Sequence, residues 1–408
     1  MANHSRPKMK TPAIGIIGIL AVGLVVLFGG SQRTSGILFG IPQEAVADEK
    51  ESQATLDKTN LRRKNYFPNT ERLGPDEMRV IALGTGTPNF RHSQASASWL
   101  VELGNGEKFI FDIGTGSLAN LAALEIPYTY LDKIFISHLH VDHIGDLDAM
   151  FIGGWVSNRT GPLKVWGPSG LKPKFGTKYA VDRLREMFTW DITGRKGNMP
   201  SAGGHIEVTE FDYSKSHVVY QKNGVKIRAW SAIHGIDGAV SYSLEWKGRK
   251  FVYSGDTTPN KWFLAEGQKA DLLIHECYLS VDQFIKLKNY DPERARIVAT
   301  VVHTPPSACG KIFSQLKPRM AIAYHTFNDF NTAPDIIAGI RESYDGPLTL
   351  ADDLLVWNVD KDGVHVRKFI GTDEPWPASP PHPAGPPDPS ERTPRSDWLN
   401  AGRIKFSD

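Results

Sequence analysis

Ser137-His138-Leu139-His140-Val141-Asp142-His143 is the stretch that decides how this chain is read. Three imidazoles and one carboxylate fall between positions 138 and 143, directly after the apolar run Leu131-Asp132-Lys133-Ile134-Phe135-Ile136. That run reads as a buried strand, so the cluster sits where a strand gives way to a loop. Imidazole nitrogens and carboxylate oxygens are borderline ligands that suit zinc, with manganese or iron as alternatives. Side chains alternate along an extended backbone, which turns His138 and His140 the same way. Asp142 and His143 lie around the turn, free to face a second ion. A lone histidine is more often a core or surface residue than a ligand. Four liganding groups packed at a strand terminus read as a metal site.

Working outward, Leu83-Gly84-Thr85-Gly86-Thr87-Pro88 is followed by Arg91 and Ser93, and Phe111-Asp112-Ile113-Gly114-Thr115-Gly116 places an aspartate in a turn after the next strands. Ser254-Gly255-Asp256-Thr257 and Ala323-Tyr324-His325 come later. Taken in this order, the set resembles the metallo-β-lactamase superfamily, with its HxHxDH signature. Within it the chain resembles the ribonuclease Z-like branch, nearest to the arylsulfatase-like subgroup. The resemblance runs from about Met78 to Val366. It implies an α/β fold, an αβ/βα four-layer sandwich with metals in a cleft along one edge. The strands expected on the residues' own pattern are Met78–Leu83, Trp99–Glu102, Phe109–Asp112 and Ile134–Ser137. Apolar spacing predicts helices over Tyr179–Thr189 and Ala333–Tyr344.

Carried over residue by residue, the resemblance assigns His138, His140 and His234 to one metal. It assigns Asp142, His143 and His325 to the other, with Asp256 between them. His217 is the alternative third ligand, but His234 follows the apolar strand Val225–Trp230 and fits the family's succession of strands. His205 lies in a Gly-rich loop and reads as solvated. Asp112 is expected to brace the ligand loop rather than to ligate. The motifs His275-Glu276-Cys277 and Val301-Val302-His303-Thr304 resemble a carboxylate–imidazole pair of ribonuclease Z-like enzymes, with Glu276 orienting His303 and His303 giving a proton to the leaving group. The bland alternative is a capped strand end and a local hydrogen bond.

Two divalent cations, zinc first, would lower the pKa of a bridging water to supply a hydroxide nucleophile and polarise an ester oxygen, while Asp142 orients that water. The expected function is an exported metal-dependent hydrolase of a sulfate or phosphate ester. Lactone or amide hydrolysis, a biosynthetic role on a small molecule, or a non-catalytic binding role are the alternatives. True tRNA-processing relatives carry a long arm after the third-ligand histidine. Only Ser241–Leu244, Glu245–Arg249 and Lys250–Tyr253 separate His234 from Asp256, which argues against tRNA 3'-processing. Phe151, Trp155, Trp166, Phe188 and Trp190 are candidates to receive an aromatic leaving group, at least half of them being core instead.

The chain has 408 residues, 40% hydrophobic, and 47 Lys and Arg against 45 Asp and Glu. That is enough for a sizeable core in one large domain. A net charge of +2 with no basic stripe gives no reason to expect nucleic acid. A small-molecule ester is the expected partner, and a homodimer is in keeping with relatives. Arg6, Lys8 and Lys10 precede the apolar run Ala13–Gly30, in the order of an export signal, and Ala45-Val46-Ala47 resembles a cleavage site. Residues 1–47 are therefore expected to be a signal peptide or N-terminal membrane anchor, placing the protein in the periplasm or outside the cell. Residues 48–77 read as a polar linker, 78–370 as the hydrolase domain and 371–408 as a Pro-rich tail. The tail is expected to be disordered or an extended strap that Trp376 and Trp398 help to dock. Cys277 and Cys309 read as small buried residues that could pair in an oxidising compartment.

Overall fold

Met78-Arg79-Val80-Ile81-Ala82-Leu83-Gly84 is buried along its whole length, which an amphipathic strand with one wet face would not be. Its two faces enter different cores. Met78, Val80 and Ala82 join one apolar cluster with residues of a second sheet, while Ile81 and Leu83 join another with the helical segment Leu147–Val156. A sheet covered by a sheet on one side and helices on the other is the inner half of a four-layer sandwich. A computed structural model describes residues 64–382 and 385–404.

The first sheet contains β1 (Asn65–Tyr66), β2 (Met78–Gly84), β3 (Ser98–Leu103), β4 (Lys108–Phe111), β5 (Lys133–Phe135), β6 (Leu163–Pro168), β7 (Ile206–Phe211), β15 (Leu355–Val359) and β16 (Val364–Phe369). Its order is β1-β16-β15-β2-β3-β4-β5-β6-β7. The second contains β8 (His217–Lys222), β9 (Val225–Ser231), β10 (Val240–Trp246), β11 (Arg249–Tyr253), β12 (Leu272–Glu276), β13 (Met320–Tyr324) and β14 (Leu348–Leu350), in the order β14-β13-β12-β11-β10-β9-β8. Between the sheets lies an aromatic core. Phe135 stacks on Trp166 with ring centroids 4.8 Å apart, and Trp99 meets Tyr324 edge-on at 5.6 Å. The outer face of the second sheet carries helices Pro306–Leu316 and Ala333–Arg341, packed through Leu273, Phe313 and Ile336. The αβ/βα sandwich expected from the sequence is the fold observed.

Boundaries shift by one or two residues where ends fray. One helix expected over Tyr179–Thr189 becomes two, Thr177–Met187 and Thr189–Arg195, broken at Phe188. A larger departure concerns residues 64–77, read as linker. Asn65–Tyr66 pairs with Lys368–Phe369, and Tyr66 is buried. The Glu71 carboxylate reaches Arg79 at 3.3 Å and Arg367 at 2.5 Å, while Arg79 also holds Glu102 at 2.7 Å. The polar composition that suggested a linker is in fact a buried ion-pair network, which a hydropathy pattern cannot register.

The tail crosses the surface as a strap, but not through its tryptophans. Arg392 Nε donates to the Gly197 carbonyl at 2.8 Å and Ser201 to Glu391 at 2.7 Å, whereas Trp376 and Trp398 are exposed. Beyond the last proline the chain forms a short helix, Asp397–Ala401, capped by the Ser396 hydroxyl. Cys277 and Cys309 are buried free thiols. The expected signal or anchor over residues 1–47 lies outside the described residues, as does most of the linker. Among the described residues no helix is long and apolar enough to cross a membrane.

Candidate metal centre

The ligand loop is pinned from both sheets before any ligand is reached. Ile136 N–H continues the ladder to the Trp166 carbonyl, the Ser137 carbonyl accepts from Val240, and Tyr242 donates to the Ile136 carbonyl. Asp112, at the end of β4, then gathers the pieces. Its carboxylate accepts from Ser137 N–H and Oγ at 2.6 Å each, from Tyr253 Oη at 2.6 Å and from His143 Nδ1 at 2.7 Å. Asp112 adopts a left-handed backbone (φ 57°), as does His325 (φ 61°). Such strain in non-glycine residues persists where surrounding bonds over-determine it. Asp112 therefore braces the loop, as expected from the sequence, and sits outside the ligand clusters.

His138 and His140 leave the end of β5, His234 follows β9, and Asp256 follows β11 through Gly255. Gly255 has φ 59°, and a Cβ there would lie 2.8 Å from that of Ser137, so only glycine lets the β11 loop approach the ligand loop. His138 Nε2 lies 3.1 Å from His140 Nδ1, and His234 Nε2 lies 3.0 Å from the same atom. Asp256 Oδ2 is 3.6 Å from His234 Nε2 and 4.0 Å from His138 Nε2. The second cluster uses the short helix Val141–Ile144 and the end of β13. His325 Nε2 stands 3.1 Å from Asp142 Oδ2 and 3.2 Å from Asp256 Oδ2, and His143 Nε2 is 3.2 Å from Asp256 Oδ1. Asp256 thus belongs to both clusters.

Do these groups fit cations? Burial holds His138 well below the ordinary imidazole pKa and His234 at about 4, so both rings are neutral with lone pairs turned to one point. Nitrogens about 3 Å apart match neighbouring corners of a tetrahedral zinc site with Zn–N near 2.0–2.1 Å. The outer nitrogens are occupied: His234 Nδ1 donates to the Val302 carbonyl at 2.9 Å, and His143 Nδ1 is held by Asp112. Such partners fix the tautomer and aim Nε2 inward. His143 Nε2 and Asp256 Oδ1 are buried without a hydrogen-bond partner. Burial opposes charge on His143, yet Asp256, Asp142 and Asp112 raise its pKa well above the usual value. A buried cage of carboxylates that demands positive charge, with lone pairs facing inward, fits divalent cations. His140 is the exposed member and opens the first cluster to solvent.

Beside this centre, His303 Nδ1 contacts Glu276 Oε2 at 3.0 Å and Oε1 at 3.2 Å. Burial alone would lower the pKa of His303, but Glu276 outweighs it and raises the value. Glu276 is itself fixed by the Thr257 N–H at 2.6 Å. A π turn over Val298–Val302 delivers both the Val302 carbonyl to His234 and the His303 ring to Glu276. Such turns recur at functional sites. His303 packs 4.9 Å from His234 and 5.3 Å from His325, ring to ring. The alternatives fall away. His217 lies on β8 against Phe211, His205 is exposed, and His275 is a core residue donating to the Glu276 carbonyl between Phe263 and Phe313.

The expected aromatic wall is not where the sequence put it. Phe151 and Trp155 are fully buried core, Trp166 stacks in the intersheet core, Phe188 is half-buried, and Trp190 is 87% exposed on a helix. A cavity of about 290 Å³ instead adjoins His138, His140 and His234, with Phe175, Lys174 and Ile236 on its walls. Tyr278, also missed, packs 4.8 Å from His303 and 5.4 Å from His325. Its place two residues after Glu276 was the available signal.

Comparison with known proteins agrees with this geometry. The family model described as Anti-Pycsar protein Apyc1 matches residues 78–293. Ribonuclease Z of Mycobacterium marinum (strain ATCC BAA-535 / M) is 31% identical over 186 residues, which are 45% of this chain and 64% of that protein. The match thus spans a little under two thirds of that relative. Ribonuclease Z of Mycobacterium avium (strain 104) is 31% identical over 203 residues, covering 48% of this chain and 69% of the relative. The metallo-β-lactamase fold protein YhfI from Bacillus subtilis superposes with a TM-score of 0.52 at 19% identity, over 70% of this chain and all of that one. The chain belongs to the Anti-Pycsar protein Apyc1 family, is similar to ribonuclease Z and has the metallo-β-lactamase fold.

Proposed function

We propose that the protein hydrolyses a small phosphoester, preferably a phosphodiester, at a two-cation centre. The observation that carries this reading is the Glu276–His303 pair set against the ligand clusters. Two divalent cations, when bound, would supply an acidified water and charge stabilisation at the ester oxygens. Asp142, whose Oδ2 is 3.1 Å from His325 Nε2, would hold a cation and orient the attacking water. His303, held through Nδ1, keeps Nε2 for the leaving oxygen, and Glu276 stabilises the protonated ring until the proton is given up. Relatives named ribonuclease Z support phosphoester over sulfate ester chemistry. They also set nucleic acid against the expectation that none is bound. A net charge of +2 and the tight β10–β11 hairpin at Lys247-Gly248 favour a small substrate over a folded RNA. We also propose export, on the apolar run Ala13–Gly30 behind its basic flank.

The proton-donor role is tested with paired phosphodiesters. His303→Gln should lower kcat about 10²–10⁴-fold on an ester with an alkoxide leaving group, and far less on a p-nitrophenyl ester, whose leaving group needs no proton. Equal losses on both would remove His303 from that role.

A further inference from the structure

Helix Thr189–Arg195 and the tail over residues 392–400 enclose a cleft of about 990 Å³. It shares no lining residue with the ligand clusters or with the cavity beside them. The tail is seated there by a close approach. Gly197 has φ 71°, and a Cβ at that position would lie 2.6 Å from the Arg392 nitrogen, so only glycine lets the two segments come together. Arg392 Nε then donates to the Gly197 carbonyl at 2.8 Å, which fixes the stem of its guanidinium. On the helix, Thr189 and Thr193, and Trp190 and Gly194, are each four positions apart and so share the face that lines the cleft.

The charge of the lining has one sign. Lys196, Arg392 and Arg395 bring three cations, threonine and asparagine side chains add neutral donors, and no carboxylate is present. The acids nearest in sequence are turned to other partners: Asp191 to Arg195 at 2.6 Å, Glu391 to Ser201 at 2.7 Å and Asp388 to Ser390 at 2.7 Å. Among the described residues none of the three cations has a carboxylate partner. Unneutralised cations around one concave surface raise the local concentration of anions. Guanidinium forks match the oxygens of phosphate and sulfate groups. The cleft is far larger than one such group and stands at the upper end of small-molecule sites, so it suits several groups on one frame. Trp190, 87% exposed, offers that frame a flat apolar face.

We propose that this cleft is a second binding site, for a small polyanion that carries several phosphate or sulfate groups on a compact carbon frame. Lys196, Arg392 and Arg395 meet the charged groups and Trp190 covers the frame. The site is independent of the metal centre and of the phosphoester reading. Its two walls are about 200 positions apart in the chain, so an occupant ties the tail to the helix.

Hydrogen exchange of the full chain with its metals, with and without inositol hexasulfate or inositol hexakisphosphate, reads this site directly. Exchange should slow over residues 189–198 and 392–400 with at least one of the two, and not with inorganic sulfate at equal ionic strength. The ester that protects at the lower concentration names the charged group. Lys196→Gln and Arg395→Gln should each weaken calorimetric binding of that probe about tenfold, the order of one charged hydrogen bond, and leave phosphoester turnover unchanged. Asp256→Ala, which disturbs the metal clusters, should leave the exchange protection in place. No protection by either probe, binding that survives in both cation variants, or protection lost in Asp256→Ala overturns the site. Equal protection by poly-glutamate would assign the cleft to an acidic polypeptide and overturn the small polyanion.

Discussion

At Asp112 one carboxylate takes four donors, and three of them belong to the residue before His138 and to the ring of His143. An amide there would turn an N–H against at least one of those donors, loosening ligand aim without removing a ligand. Asp112→Asn is expected to weaken zinc affinity 10–100-fold, read by competition with a chromophoric chelator, with the fold intact by circular dichroism. Wild-type affinity would mean that the bracing is dispensable. Asp142→Ala and Asp256→Ala remove ligands outright and should abolish turnover, Asp256→Ala disturbing both clusters because it belongs to both. Full activity in both variants would sink the two-cation mechanism. The members of both clusters were named from the sequence, His138 to His143 because liganding types crowd one strand end, and His234, Asp256 and His325 through the family resemblance. Tyr253, Tyr278 and Phe175 were not, since a buried tyrosine that braces a site and one that fills a core look alike in sequence.

Among elements, the strap of residues 64–77 shows what periodicity hides. Burial of both faces leaves near-continuous apolar runs that marked β2, β3 and β12, while β9 showed as an alternation of apolar and polar residues. The strap is held instead by Glu71, Arg79, Glu102 and Arg367, polar residues that read as solvated until their partners from distant strands arrive. For Glu102, burial alone would raise the carboxyl pKa, but Arg79 and Lys108 outweigh it and hold the group below its ordinary value. Its stabilising contribution is therefore present above the unfolded pKa of about 4.3 and lost as pH falls through the lower folded value. Glu102→Gln should be less stable than wild type at pH 7 by roughly 3 kcal/mol, since it leaves Arg79 partly uncompensated in a buried site. Denaturant melts at pH 7 and pH 3 should show that gap narrowing in acid. A gap that stays constant would mean the carboxylate's charge is irrelevant there.

For the whole molecule, the two sheets each bring part of the centre to one edge, so bound cations would tie the sandwich together. Chelation should lower Tm, and restoring zinc at a hundredfold excess over Kd should return about 2.7 kcal/mol of stability per site. Architecture was readable because the motifs and their order resemble those of the metallo-β-lactamase superfamily, whose fold they imply. The cavity beside the first cluster was not, since its walls come from loops far apart in the sequence. Export concerns residues outside those described, and cell fractionation decides it: full-length protein recovered from the cytosol would remove the proposal.

The most direct test of the central claim is zinc titration into chelated protein, following phosphodiester turnover and bound metal together. Turnover should be lost on chelation and return as two equivalents of zinc bind per chain, with Asp256→Ala failing to recover it. Undiminished turnover by metal-free protein would contradict the account.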